Sequence, residues 1–104
     1  MTTLNNTVVV KKALSENLSL RDLAKDFFKE LESMPTKEIV LDFKGIRSIS
    51  RSFAHEYLVQ KEKSQKVFNE INMPENVKRM ISIVSQANRD EAIIHTKSLR
   101  AISV

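Results

Sequence analysis

Cysteine is absent from the 104 residues, glycine occurs once and proline twice. Without cysteine there are no disulfides, no thiol chemistry and no thiolate metal sites. A single glycine, Gly45, cannot build a phosphate-cradling Gly-rich loop in its usual form, and no Gly-x-Ser-x-Gly elbow accompanies the serines. The scarcity of glycine and proline also argues against long flexible linkers and low-complexity tracts, and no internal repeat is visible. No apolar run approaches the roughly 18–20 residues of a membrane span. The N-terminus lacks the basic-then-apolar pattern of a signal peptide, so a cytoplasmic protein with no targeting device is expected. Five Phe and one Tyr are the only aromatic residues, and most fall at core positions rather than where rings could stack on bases.

What is present is ordinary for a globular chain: 41% hydrophobic and 29% charged residues, at a length that fits one domain over 1–104. The formal charge is +4, from 17 basic and 13 acidic residues. Its densest basic region is Lys61, Lys63 and Lys66 with Lys78 and Arg79, interrupted by Glu62, Glu70 and Glu75. A solvated surface explains that pattern; the alternative is a basic accessory domain that contacts RNA or DNA there.

The order of elements is regular. Thr7 to Val10 is β-branched and reads as a first strand. Ser19 opens the clearest helix, with Leu20, Leu23, Ala24, Phe27, Phe28 and Leu31 on one buried face and Arg21, Lys25, Asp26 and Lys29 on the wet one. Ser19 with Asp22 forms a capping-box variant, and Pro35 lies past the end. Ile39 to Asp42 is a second strand, whose continuous apolar run predicts burial on both faces. A second helix covers 52–63, with Phe53, Ala54, Tyr57 and Leu58 on one side. Val67 to Ile71 is a third strand. Pro74 reads as the first residue of a third helix, with Val77, Met80, Ile81 and Val84 inside and Asn88 as its stop. Residues 89–104 contain Ile93-Ile94 and fit either a last edge strand or a short docking helix. Strands alternating with helices imply right-handed crossovers and a small, mostly parallel α/β sheet.

The stretch Ile39 to Leu58, IVLDFKGIRSISRSFAHEYL, concentrates the candidate chemistry. A strand ends at Asp42, a loop carries Gly45, and Ser48, Ser50 and Ser52 follow at every second position before a helix. Hydroxyls at a strand-to-helix junction meet free backbone N–H groups and the positive end of a helix dipole. They can cap the helix, bind an anion or accept a phosphate. Either Ser50 or Ser52 suits the cap. Arg47 and Arg51 flank the loop, as solvated charges or as bidentate partners for an anionic group.

The pattern LDFKGIRSISRSFAHEYL resembles the STAS-like domains, relatives of the STAS domains of anti-sigma-factor antagonists. The resemblance covers Val8 to Ala87. It implies a STAS-like fold, with Asp42 at the strand end, Gly45-Ile46 in the loop and Ser52 at the position that a partner kinase phosphorylates in the antagonists. The antagonists read Asp-Ser-Ser-Gly at this turn, where this chain has Ser50-Arg51-Ser52-Phe53. The STAS-like branch reads Ser-Phe-Ala-Asp-Glu, against Ser52-Phe53-Ala54-His55-Glu56 here. What the resemblance implies is a non-catalytic protein-interaction module, with Asp42, Gly45, Arg47, Ser50, Arg51 and Ser52 as its partner-binding face. The partner would be an ATP-binding anti-sigma-like kinase or another signalling protein, and a homodimer is compatible with such a module.

No cofactor or metal is expected. His55 and His95, forty residues apart, read as surface histidines, and no HExxH pattern or carboxylate cluster accompanies them. Asp42 as a single carboxylate lacks the partner that acid–base chemistry normally needs, so no enzyme with a familiar site is expected.

Overall fold

The computed structural model describes residues 3–4 and 6–87; the readings on Asn88, Ile93-Ile94 and His95 lie outside them. Two short strands, β1 (Thr3–Leu4) and β2 (Thr7–Val9), form an antiparallel hairpin. The β-branched run ends one residue earlier than its sequence suggests. Val10 starts a four-residue helix, α1 (Val10–Ala13), and is buried there. β3 (Asn17–Leu18) then leads to α2 (Arg21–Glu32), β4 (Glu38–Asp42), β5 (Ser48–Ile49), α3 (Arg51–Lys63) and β6 (Val67–Ile71). A last helix, α4, covers residues 75–87, with Pro74 one position before it and the Pro74 carbonyl accepting from Lys78 N–H.

The main sheet has the order β1-β2-β4-β6, and β2, β4 and β6 are parallel. In register, Val8 lies beside Leu41, and Ile39 beside Phe68. The small, mostly parallel α/β arrangement is thus the one the alternating pattern predicts. A second, two-stranded parallel sheet pairs Asn17 with Ser48 and Leu18 with Ile49.

Only one face of β4 is dry. Ile39 and Leu41 are fully buried, whereas Val40 and Asp42 are half-covered. The expectation of burial on both faces is corrected here, for a topological reason. The chain steps from β2 to β4 to β6 in one direction, and right-handed crossovers then set α2 and α3 on the same side. That side is an aromatic centre. The Phe28 ring meets Phe27, Tyr57 and Phe68 edge-on, with centroids 6.1, 5.5 and 5.4 Å away, and Phe43 meets Tyr57 at 6.0 Å. Val77 and Val84 of α4 join this core, and Met80 and Ile81 pack against it, as their spacing predicts.

α2 buries Ala24, Phe27, Phe28 and Leu31. Leu20, expected on that stripe, is 62% exposed: it is the extended residue before the first turn, so helical periodicity does not yet govern it. The Ser19–Asp22 capping box does not form, and the N-cap makes no side-chain hydrogen bond. The Ser19 carbonyl instead accepts from the Ser50 hydroxyl at 2.8 Å. That bond ties the start of α2 to the start of α3.

Candidate functional site

The loop between β4 and α3 is built by its own polar groups. Asp42 Oδ1 accepts from Lys44 N–H at 2.9 Å and from the Asn72 amide at 3.1 Å. The first closes a local Asx turn; the second joins the ends of β4 and β6. Asn72 has φ 54°, a left-handed conformation that asparagine tolerates better than most residues. Gly45 has φ +83°, where a side chain would be strained, and an added Cβ would stand 3.0 Å from Lys11 Cδ. The single glycine is therefore required by the turn itself.

Beyond the turn, the three alternating serines have three different environments. The Ser48 hydroxyl donates to Asn17 Oδ1 at 2.7 Å, beside the β3–β5 pairing. Ser50 Oγ accepts from Phe53 N–H at 3.0 Å while donating to the Ser19 carbonyl, which makes it the cap of α3. Of the two serines that could cap, Ser50 does. Ser52 lies in the first turn, exposed, and its side chain makes no hydrogen bond among the described residues. Arg51 beside it is also exposed and unpaired among those residues. The first turn of α3 contains no acidic residue, so nothing there offsets the positive end of the dipole.

Arg47 is 74% exposed in its side chain and stands 3.7 Å from Glu16 Oε1, a long surface pair of small energetic weight. Its backbone is held more firmly. Arg47 N–H donates to the Glu16 carbonyl at 2.7 Å, and its own carbonyl accepts from the Asn76 amide at 2.8 Å. Of the six residues expected on the partner face, Asp42, Gly45 and Ser50 thus shape the loop. Arg47, Arg51 and Ser52 are left facing solvent from a fixed backbone.

The basic alternative is divided in the same way. Lys66 Nζ is occupied by the carbonyls of Met34 and Thr36, at 2.7 and 2.6 Å. Lys61 Nζ lies 3.1 Å from Glu70 Oε2. Lys63, Lys78 and Arg79 are exposed. Lys63 also lines a cleft of about 530 Å³ between the C-terminal ends of α2 and α3, with Phe28, Lys29, Glu32, Gln60, Ser64 and Gln65. The cleft is at the far end of α3 from Ser52, roughly 15 Å along the helix at 1.5 Å per residue.

Two polar arrangements escaped the sequence reading. The Tyr57 hydroxyl donates to the Glu70 carboxylate, which Lys61 also holds. Burial, then the Glu70 charge, then that hydrogen bond push the Tyr57 phenol well above its ordinary range. Tyr57 and Lys61 stand four apart, the spacing that places two side chains over one strand, but only strand pairing brings Glu70 beneath them. Glu56 is buried and accepts from Gln60 Nε2 at 2.7 Å. His55, read as a surface residue, is half-buried, and its Nδ1 has no partner among the described residues. No group of three or more metal-ligating side chains converges among those residues. No described helix is long and apolar enough to cross a membrane.

No curated protein and no solved structure matches the chain. Residues 23–89 match a family described as "STAS-like domain of unknown function (DUF4325)". That match runs from the first turn of α2 through α4, and takes in β4, the Gly45 loop and the start of α3. The chain therefore belongs to the STAS-like domain family.

Proposed function

We propose that this STAS-like domain is a non-catalytic regulatory module of the cytoplasm that binds a protein partner through residues 45–52 and the first turn of α3. Ser52 is its switch. The observation that carries this reading is the division of labour between Ser50 and Ser52. Ser50 supplies the helix cap, and Ser52 is exposed in the same turn with no hydrogen bond among the described residues. A structural role would leave Ser52 little to do, whereas a kinase needs a hydroxyl that the fold does not consume.

The electrostatics suit such a modification. A phosphate would add about −1.5 to −2 charges beside the open N–H groups of a helix start and next to Arg51. The domain would tolerate that charge without unfolding, and a docked surface would not. The family resemblance points to an ATP-binding anti-sigma-like kinase, or another signalling protein, as the partner.

The test is copurification from the native cell with wild type, Ser52→Ala and Ser52→Asp. A protein retained by Ser52→Ala and lost with Ser52→Asp supports the reading. Equal recovery by all three overturns it. Nucleic acid recovered equally by all three and lost at high salt would transfer the function to Lys63, Lys78 and Arg79, because neutralised phosphates release counterions.

A further inference from the structure

The cleft between the C-terminal ends of α2 and α3 plays no part in the Ser52 surface. Its volume of about 530 Å³ falls in the range of small-molecule sites. Phe28 brings the buried aromatic centre to its wall, and the rest of the lining is polar side chains carried on methylene stems.

The polar groups of that lining are unequally occupied. Glu32 Oε1 accepts from the Ser64 hydroxyl, which itself accepts from Lys66 N–H at 3.1 Å. The Gln60 amide is spent on Glu56. Lys29, Lys63 and Gln65 are exposed, and their side chains make no hydrogen bond or ion pair among the described residues. Lys29 stands three positions before Glu32, a spacing that can pair the two, yet Ser64 holds Glu32 instead. Lysines in the last turn of a helix can complement its dipole. The end of α2 is already closed without Lys29, however. Ser33 N–H donates to the Lys29 and Glu30 carbonyls, the Ser33 hydroxyl to the Glu30 carbonyl, and Lys66 Nζ to the Met34 and Thr36 carbonyls. One uncommitted ammonium group from each helix therefore borders the cleft.

We infer that the cleft binds a small organic acid, one carboxylate on an apolar body. The carboxylate seats between Lys29 and Lys63 with the Gln65 amide as a neutral donor. The body lies against Phe28 and the methylenes of the long side chains. Charge sets the class of ligand. Two ammonium groups and the Glu32 carboxylate leave the lining one positive charge, which a single carboxylate neutralises. A second anionic group would face Glu32 Oε2, so a polyanion such as nucleic acid fits poorly. The cleft and Ser52 stand at opposite ends of α3, so acid and protein partner could be held at the same time.

The experiment is a titration of the full chain with hexanoate, read by amide chemical shifts in nuclear magnetic resonance. Butyrate, 1-hexanol and hexylamine serve as comparisons. Saturable shifts should gather at Lys29, Glu32 and residues 60–65. Hexanoate should bind more tightly than butyrate, by up to about fourfold for each methylene that enters the cleft. Lys29→Gln/Lys63→Gln should weaken hexanoate binding by roughly tenfold, and Glu32→Gln should tighten it by about two- to fivefold, the weight of exposed charges. All three positions are exposed, and the thermal midpoint checks that each variant keeps its fold. Several outcomes overturn the inference: no saturable shift, shifts centred elsewhere in the chain, 1-hexanol or hexylamine bound as tightly as hexanoate, or binding that survives loss of both lysines. Ser52→Asp should leave hexanoate affinity unchanged, so failure here and failure of the Ser52 reading are separate results.

Discussion

α3 begins and continues as two different surfaces. From Phe53 onward it turns inward: Phe53, Ala54, Glu56 and Tyr57 are buried, and the Tyr57 hydroxyl reaches across to β6. In its first turn Arg51 and Ser52 face solvent, although the backbone beneath them is pinned through Ser50 to α2 and to Phe53 N–H. The fold depends on where this turn sits and hardly on what Ser52 is. A rigidly placed residue with little structural duty can change chemistry without unfolding the domain, which is what a switch requires.

The comparison breaks most severely on the dry side. Phe28→Ala removes a ring that touches Phe27, Tyr57 and Phe68, and should cost about 3–5 kcal/mol in urea denaturation. A loss below roughly 1 kcal/mol would mean that this centre is not packed as described. Tyr57→Phe keeps the ring and deletes only the hydroxyl, so it should cost about 1.5–3 kcal/mol, the range for a hydrogen bond to a charged group. It should also alter the alkaline limb of stability. The folded phenol titrates above the unfolded one at 10.0, so the folded state holds a proton that the unfolded state releases in that window. Stability from Tyr57 is complete below pH 10.0 and falls as pH rises toward the folded value. Tyr57→Phe should show a shallower decline there than wild type.

Much of this architecture was legible in the sequence. The spacing of Ala24, Phe27, Phe28 and Leu31 gives the inner face of α2, and Ile39 to Asp42 and Val67 to Ile71 give two strands. Local patterns failed where the crossovers, or the exact residue at which a helix starts, decided the outcome. Val40 looks as buried as Ile39 until the crossovers place both helices on one side. Leu20 has a helical spacing but lies one residue outside the helix. Ser19 and Asp22 fit a capping box, yet α2 starts at Arg21 with Leu20 in the cap position, which leaves Ser19 one residue too early. At the candidate site, residue types located the loop and the strand order divided its roles. Nothing in Ser-Ile-Ser-Arg-Ser tells Ser50 from Ser52 as the cap until the first turn is set in space.

A smaller effect sharpens the account of the loop. Gly45→Ala forces a side chain into φ +83° and should cost about 1–2 kcal/mol. Gly45→Asn should cost less, because asparagine visits that region more readily. The Lys11 contact is with a flexible side chain that can move, so backbone strain sets the order of the two variants. Equal losses would shift the cause to the Lys11 contact.

The finest test compares the two serines directly. Ser50→Ala removes the acceptor for Phe53 N–H and should cost about 1 kcal/mol, with the lost bond to Ser19 included in the measurement. Ser52→Ala deletes a hydroxyl without a described partner and should change stability by less than about 0.5 kcal/mol. Ser52→Asp should go the other way. A carboxylate placed in the first turn, where no acidic residue now stands, should stabilise the domain by about 0.3–1 kcal/mol at low salt, and the gain should shrink as salt is added. Chemical denaturation at two ionic strengths reads all three. A substitution that strengthens the fold while abolishing partner binding would separate recognition from stability within one turn of helix. If Ser52→Asp instead destabilised the domain, any loss of binding could be ascribed to unfolding, and the division between the two surfaces of α3 would fail.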